Sequence, residues 1–236
     1  MELRHLLIKA QSTPTPAGSI VVIQPGEVHT GHAAIAGGWS YRMFYPDAAL
    51  LQKAASEVAG RRLLPCFPKP VLQDKQLAEC LSRLHIVLET STDQLERESR
   101  FLWTLIQLVT RHADTRVGIR SVGREYQSVK RVQEYLGTHF ADNVSLEQLA
   151  TLADLSPFHF IRVFRRQVGL PPHAYLTQVR IKQAKTLLAK GEPIIQVALA
   201  TGFVDQSHLN KHFKRIVGVT PGQYILGSKN IQDRLI

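Results

Sequence analysis

Nine basic side chains in the C-terminal half of this sequence fall into three tight groups: Arg162, Arg165 and Arg166; Arg180, Lys182 and Lys185; Lys211, Lys214 and Arg215. The spacing within each group is short enough to place its charges on a limited face of one helix. Any single group suits a solvated helix surface. Three in similar settings point to a polyanion, because a guanidinium pairs bidentately with phosphate or guanine, while an ammonium acts as a point charge toward phosphate.

Net charge agrees in sign but does not locate a binding face. The chain has 236 residues, with 29 Lys+Arg against 19 Asp+Glu, a formal +10. Residues 125–236 hold 14 and 8 of these and residues 1–124 hold 15 and 11, so the excess is shared. Hydrophobic residues at 44% and charged ones at 20% describe a globular chain of one large or two ordinary domains. No apolar run approaches the roughly 18 residues that span a bilayer. The opening residues lack a signal-peptide layout, since Leu6-Leu7-Ile8 is broken at once by Lys9. Cys66 and Cys80 are the only cysteines. That excludes a disulfide scaffold and a four-cysteine zinc site, and suits a reducing, cytoplasmic setting. With no phosphate-cradling glycine loop and no nucleophile elbow, no catalytic residue, cofactor or metal is expected.

The elements that must position these charges differ along the chain. Ser19-Ile20-Val21-Val22-Ile23 reads as a strand stopped by Pro25-Gly26, and the aromatic-rich stretch 39–45 reads as another, ended by Pro46. Asp47 can cap a helix over 48–58. Leu77, Leu81, Leu84 and Leu88 mark a helix over 74–90, and Leu95, Leu102, Leu105, Ile106 and Val109 mark another over 92–112. Residues 113–124 have charges, glycines and no apolar period, so they read as a linker between domains 1–112 and 125–228. Beyond it the pattern is helical throughout, with helices expected near 129–137, 157–168, 172–190, 193–200, 206–217 and 221–227, and a short one that starts at 145–148 and carries Leu149 and Ala150. The fold class is therefore α+β and mainly α.

Within the helical part the sequence repeats. Leu149-Ala150 falls on Val197-Ala198, and Asp154-Leu155 on Gly202-Phe203. Phe164-Arg165-Arg166 then falls on Phe213-Lys214-Arg215, Val168-Gly169 on Val217-Gly218, and Pro172 with Tyr175 on Pro221 with Tyr224. One residue is inserted near Asp205. Each copy is a short helix, a tight turn, a basic second helix and then glycine, which is the layout of a helix-turn-helix whose second helix enters the major groove. The 172–190 helix joins the two copies.

Over about its last hundred residues the sequence resembles the AraC family of bacterial transcription regulators. The specific signature is Gly202-Phe203, Asp205-Gln206-Ser207-His208-Leu209, Phe213-Lys214-Arg215, Gly218, Thr220-Pro221 and Tyr224. The resemblance implies two helix-turn-helix units, held by a central helix, that read successive major-groove segments of double-stranded DNA. Base readers belong near the start of each second helix, facing outward. In the first copy these are Phe158, His159, Ile161 and Arg162, with Arg162 suited to guanine; Ile161 departs from the polar residue expected there and either packs on a thymine methyl or reduces specificity. In the second they are Gln206, Ser207, His208, Asn210 and Lys211, while Arg165, Arg166, Lys214 and Arg215 are phosphate contacts or solvent-facing charges.

Pro25-Gly26-Glu27-Val28-His29, with His32 beyond it, resembles a turn of the small β-barrels called cupins. The likeness to the effector domain of sugar-type AraC regulators covers roughly residues 15–112. The upstream histidine pair and carboxylate of a cupin metal site are missing, so His29, His32, Trp39 and Tyr41 are assigned to an effector pocket without metal. Too few strands precede residue 47 to close a barrel, so the effector domain is expected to be partial: either the chain starts late in the usual domain or the domain is a remnant. In regulators of this type the helix matching 92–112 also forms a homodimer. The expected function is a DNA-binding activator that engages RNA polymerase and a small-molecule effector. A cupin-type metal enzyme fused to a DNA-binding module is the alternative. A third class, a DNA-repair methyltransferase carrying the same helices, lacks a fitting cysteine.

Overall fold

The computed structural model describes residues 4–8, 11–23, 29–33, 40–114 and 125–232. The chain divides into two compact units, Met1–Thr92 with Arg100–Gly123, and Asp93–Ser99 with Arg124–Ile236.

In the first unit β1 (Arg4–Ile8) lies between β2 (Gln11–Pro14) and β4 (His29–Ala33), both antiparallel to it. The register sets His5 opposite Pro14 on one side and His32 on the other. A second ladder pairs β3 (Ile20–Val21) with β5 (Val71–Leu72). Residues 40–47 form no strand, which corrects the expectation for 39–45; Trp39 lies outside the described residues. Tyr41 and Tyr45 stand 58% and 84% exposed, so this stretch has no buried face to pair along.

Three helices complete this unit or leave it. Helix α1 (Ala48–Ala59) is started by Asp47, whose carboxylate accepts from the Ala49 amide at 2.6 Å, and buries Ala54, Ala55 and Val58. Asp74 starts α2 (Lys75–Thr90) by accepting from the Leu77 amide at 3.0 Å. Its other oxygen meets His112 Nε2 at 2.7 Å and Arg111 Nη2 at 3.0 Å, tying the start of α2 to the end of α3 (Gln94–His112). Burial of Asp74 would raise its pKa, but the Leu77 amide, His112 and Arg111 together hold it below the ordinary carboxylate value. The first residues of α3, up to Ser99, count with the second unit.

The second unit is helical: α4 (Tyr126–Thr138), α5 (Leu146–Leu152), α6 (Pro157–Val168), α7 (Pro172–Ala189), α8 (Ile194–Ala200), α9 (Gln206–Val217) and α10 (Pro221–Gln232). Its stops and starts are written in side chains. Ser145 and Gln148 form a reciprocal capping box on α5, Ser156 and Asp205 cap α6 and α9, and Gly169 and Gly218 end those two helices with φ of 78° and 92°. Phe160 and Phe164 are fully buried around the first copy. Val197, Ala198, Phe203, Leu209 and Phe213 form the second core with Ile181, Ala184 and Leu188 of α7. Each such Phe or Leu contributes about 1.5–3 kcal/mol of burial, which holds two short helix pairs rigidly on one long helix.

Candidate nucleic-acid interface

The duplication extends to individual hydrogen bonds. In the turn after α5, Leu155 N donates to Ala150 O at 3.0 Å; in the turn after α8, Phe203 N donates to Ala198 O at 2.9 Å. Asp154 N meets Thr151 O at 2.9 Å where Gly202 N meets Leu199 O at 3.1 Å. Both turn residues are left-handed, Asp154 at φ 57° and Gly202 at φ 78°. Phe164 stands edge-on to Tyr175 with centroids 5.7 Å apart, and Phe213 to Tyr224 at 5.5 Å. These aromatic pairs fix the far end of each second helix against the helix that follows. Residues at matching positions of α6 and α9 are therefore presented by the same local frame.

The two frames carry different surfaces. On α9, Gln206, Ser207, Lys211, Lys214 and Arg215 are exposed, and His208 and Asn210 are half-buried. On α6, Arg166 is exposed and Arg162 and Arg165 are half-buried. Phe158, His159 and Ile161 are only 2%, 8% and 0% exposed. The outward placement expected of these three is corrected. Phe158 and Ile161 are apolar and covered, while His159 Nε2 lies 2.9 Å from Glu125 Oε1.

A second correction concerns Arg180, grouped above with outward charges. It is 7% exposed, donates from Nε to Phe140 O at 2.7 Å and from Nη2 to Asp142 O at 3.0 Å, and lies 3.7 Å from Asp93. Arg180 thus clamps the loop between α4 and α5 onto α7. The same loop meets the other copy, where a Cβ added to Gly202 would lie 2.6 Å from Ala141 O.

Beside α9 sits a small aromatic cluster that the sequence reading passed over. The His208 and His212 rings are 4.6 Å apart, and the Phe203 ring lies 5.3 Å from His208. Burial lowers the His208 pKa, against the pull of Asp93 and Asp205. Burial, then Arg215 and His208, push His212 down to about 4. Arg215 Nη2 stands 2.9 Å from His212 Nδ1, a geometry that suits a neutral ring accepting at Nδ1.

Of the effector-pocket residues, His29 and His32 lie on β4, Tyr41 is exposed in an irregular segment, and Trp39 is outside the described residues. No group of three or more His, Cys, Asp or Glu among the described residues could hold a metal ion. None of the described helices is long and apolar enough to cross a membrane.

Comparison with known proteins accounts for both units. A helix-turn-helix domain model matches residues 149–226, and a model of the AraC-like ligand-binding domain matches residues 7–105. An uncharacterized HTH-type transcriptional regulator of Bacillus subtilis (strain 168), YbfI, is 35% identical over 206 residues, which is 87% of this chain and 74% of that protein. The chain belongs to the AraC family of transcription regulators. The AraC-like ligand-binding match starts earlier than residue 15, at Leu7 within β1, and takes in β2. The bifunctional transcriptional activator/DNA repair enzyme Ada of Escherichia coli (strain K12) is 34% identical over 91 residues, 39% of this chain and 26% of that protein. Among solved structures, the DNA-binding domain of AdpA in complex with a target DNA is 28% identical, with TM-score 0.43 over 45% of this chain and 96% of that one. This AraC-family chain is a DNA-binding transcription regulator with an AraC-like ligand-binding region ahead of its helix-turn-helix pair.

Proposed function

We propose that α6 and α9 read two adjacent major-groove segments on one side of the duplex. The observation that carries this reading is the duplicated helix-turn-helix, matched in turn hydrogen bonds, left-handed turn residues and aromatic braces. Arg162 reads guanine in the first segment. Gln206, Ser207, His208, Asn210 and Lys211 read the second, with Asn210 suited to adenine. Arg165, Arg166, Lys214 and Arg215 hold phosphates and set the register.

The ligand-binding region takes a small-molecule effector that changes DNA affinity, and the regulator works as an activator that contacts RNA polymerase. Dimerisation runs through α3, away from its buried Leu95, Leu105, Ile106 and Val109, and the protein acts in the cytoplasm where its operator is. Selecting bound sequences from a random duplex pool tests the central point. It should recover two half-sites about one helical turn, ~34–36 Å, apart. Recovery of a single short site, or of no preference, would count against two-headed reading.

A further inference from the structure

The two copies meet at a place that the repeat itself does not require. Gly202 lies in the turn between α8 and α9, and its counterpart Asp154 has a left-handed backbone too, so the conformation alone does not call for glycine. Asp154 is exposed, and its turn accommodates a side chain. At Gly202 the space is taken by the loop between α4 and α5: an added Cβ would lie 2.6 Å from Ala141 O and 2.8 Å from Ala141 Cα.

Both partners in this contact are held in place. Arg180 of α7 donates from Nε to Phe140 O at 2.7 Å and from Nη2 to Asp142 O at 3.0 Å, and these two residues flank Ala141. Within the loop Asp142 N donates to His139 O at 3.2 Å, and Val144 is buried. On the other side Thr201 is fully buried and its Oγ1 donates to Val197 O at 2.6 Å, which stiffens the turn that carries Gly202. Asp205 then caps α9. A displacement of Gly202 is therefore passed on to the second reading helix.

Helix α7 alone is an incomplete ruler. Its 18 residues span about 27 Å, and a single rod leaves two freedoms, its own curvature and the roll of either head about it. A second point of contact, off the helix axis, removes them.

We infer that residues 139–142 form a strut that sets the distance and phase between α6 and α9, so that Arg180, Ala141 and Gly202 decide which half-site spacing the chain accepts. The inference rests on α6 and α9 being the reading helices. Arg180 is then a positioning residue. It is 7% exposed, and its nitrogens face Phe140 O, Asp142 O and Asp93, so it acts through the loop and not on a phosphate. DNA presents spacing in coarse steps: one added base pair moves a half-site by about 3.4 Å and turns it by roughly 35°. Stiffly joined heads meet that step only by deforming the duplex, whereas loosely joined heads follow it.

The test measures anisotropy of labelled duplexes with the full chain. Each carries the two half-sites enriched by selection, at the selected spacing or one base pair closer or farther. For the wild type either shift should weaken binding at least about tenfold, comparable to one mismatched base pair. Arg180→Lys keeps the charge and loses the two-pronged bracket, so the ratio between selected and shifted duplexes should shrink severalfold. A glycine inserted between Ala141 and Asp142 should shrink it too, and it leaves both cores intact should Arg180→Lys fail to fold. Val129→Ala, within the buried face of α4, lowers stability without touching the strut and should leave the ratio unchanged. A wild type indifferent to spacing, an unchanged ratio in the folded strut variants, or an equal shrinkage in Val129→Ala would overturn the inference. Selection that returns no second half-site removes the reading of α6 and α9 instead, and this inference with it.

Discussion

Asp154 and Gly202 occupy the same place in the two copies and share a left-handed backbone, φ 57° and 78°, but only Gly202 lies against another segment. A Cβ at Gly202 would come within 2.6 Å of Ala141 O, a backbone atom that a side-chain rotation cannot remove. Gly202→Ala should therefore cost more than the ~1–3 kcal/mol of a left-handed non-glycine residue alone. Asp154→Gly relieves strain and should change stability by less than about 1 kcal/mol. Thermal melting of both variants checks the contrast, and equal effects would mean that the Ala141 contact is readily relaxed.

Arg162 and Lys214 should fail in different ways. Arg162→Ala should cost about 1–3 kcal/mol of DNA affinity and relax one base position. Lys214→Ala should weaken all sequences alike and reduce the salt slope by about 1. Binding to a panel of single-base operator variants at several salt concentrations distinguishes them. A uniform loss for Arg162→Ala would move it to the phosphate group.

The Arg180 clamp makes a purely structural prediction. Arg180→Ala leaves Phe140 O and Asp142 O without their donor and Asp93 without its cation, and loses roughly 3–5 kcal/mol, the cost of breaking a buried charged pair. Denaturant unfolding should show a lower midpoint. Unchanged stability with weakened DNA binding would instead place Arg180 at the DNA.

His212 predicts acid sensitivity of the second unit. Its folded pKa of about 4 lies below the ordinary histidine value of 6.5, so the unfolded chain takes up the proton first. The stability linked to the neutral ring is complete above pH 6.5 and is lost as pH falls from 6.5 toward 4. Melting curves of His212→Gln against wild type should converge as the solution is acidified across that window. Parallel curves would mean that the ring titrates normally.

The bounds of α6 and α9 were legible to the residue because Ser156, Pro157, Asp205, Gly169 and Gly218 punctuate them. Arg180 was legible in principle: it sits four residues from Leu176 and Ala184, on the stripe that α7 buries, although its basic neighbours suggested a charged face. The small sheet was not, since Gln11–Pro14 and His29–Ala33 offer no alternation of apolar and polar residues. Nor was the burial of Phe158 and Ile161. Periodicity shows which residues share a helix face, whereas what covers that face depends on contacts distant in sequence. That Asp93–Ser99 counts with the second unit was hidden for the same reason, because a helix pattern does not reveal where one helix changes partners.

The unequal faces of α6 and α9 have a consequence for promoter architecture. A chain whose two heads were chemically identical would ask for the same half-site twice. Here α6 carries Arg162 where α9 carries Lys211, and the places of Ser207 and Asn210 are taken in α6 by the buried Phe158 and Ile161. On the proposed two-headed reading, each bound chain asks for two unlike half-sites in a fixed order and so points one way along the duplex. Inverting the operator would carry every other surface of the regulator to the opposite side of the site, away from whatever it was placed to meet.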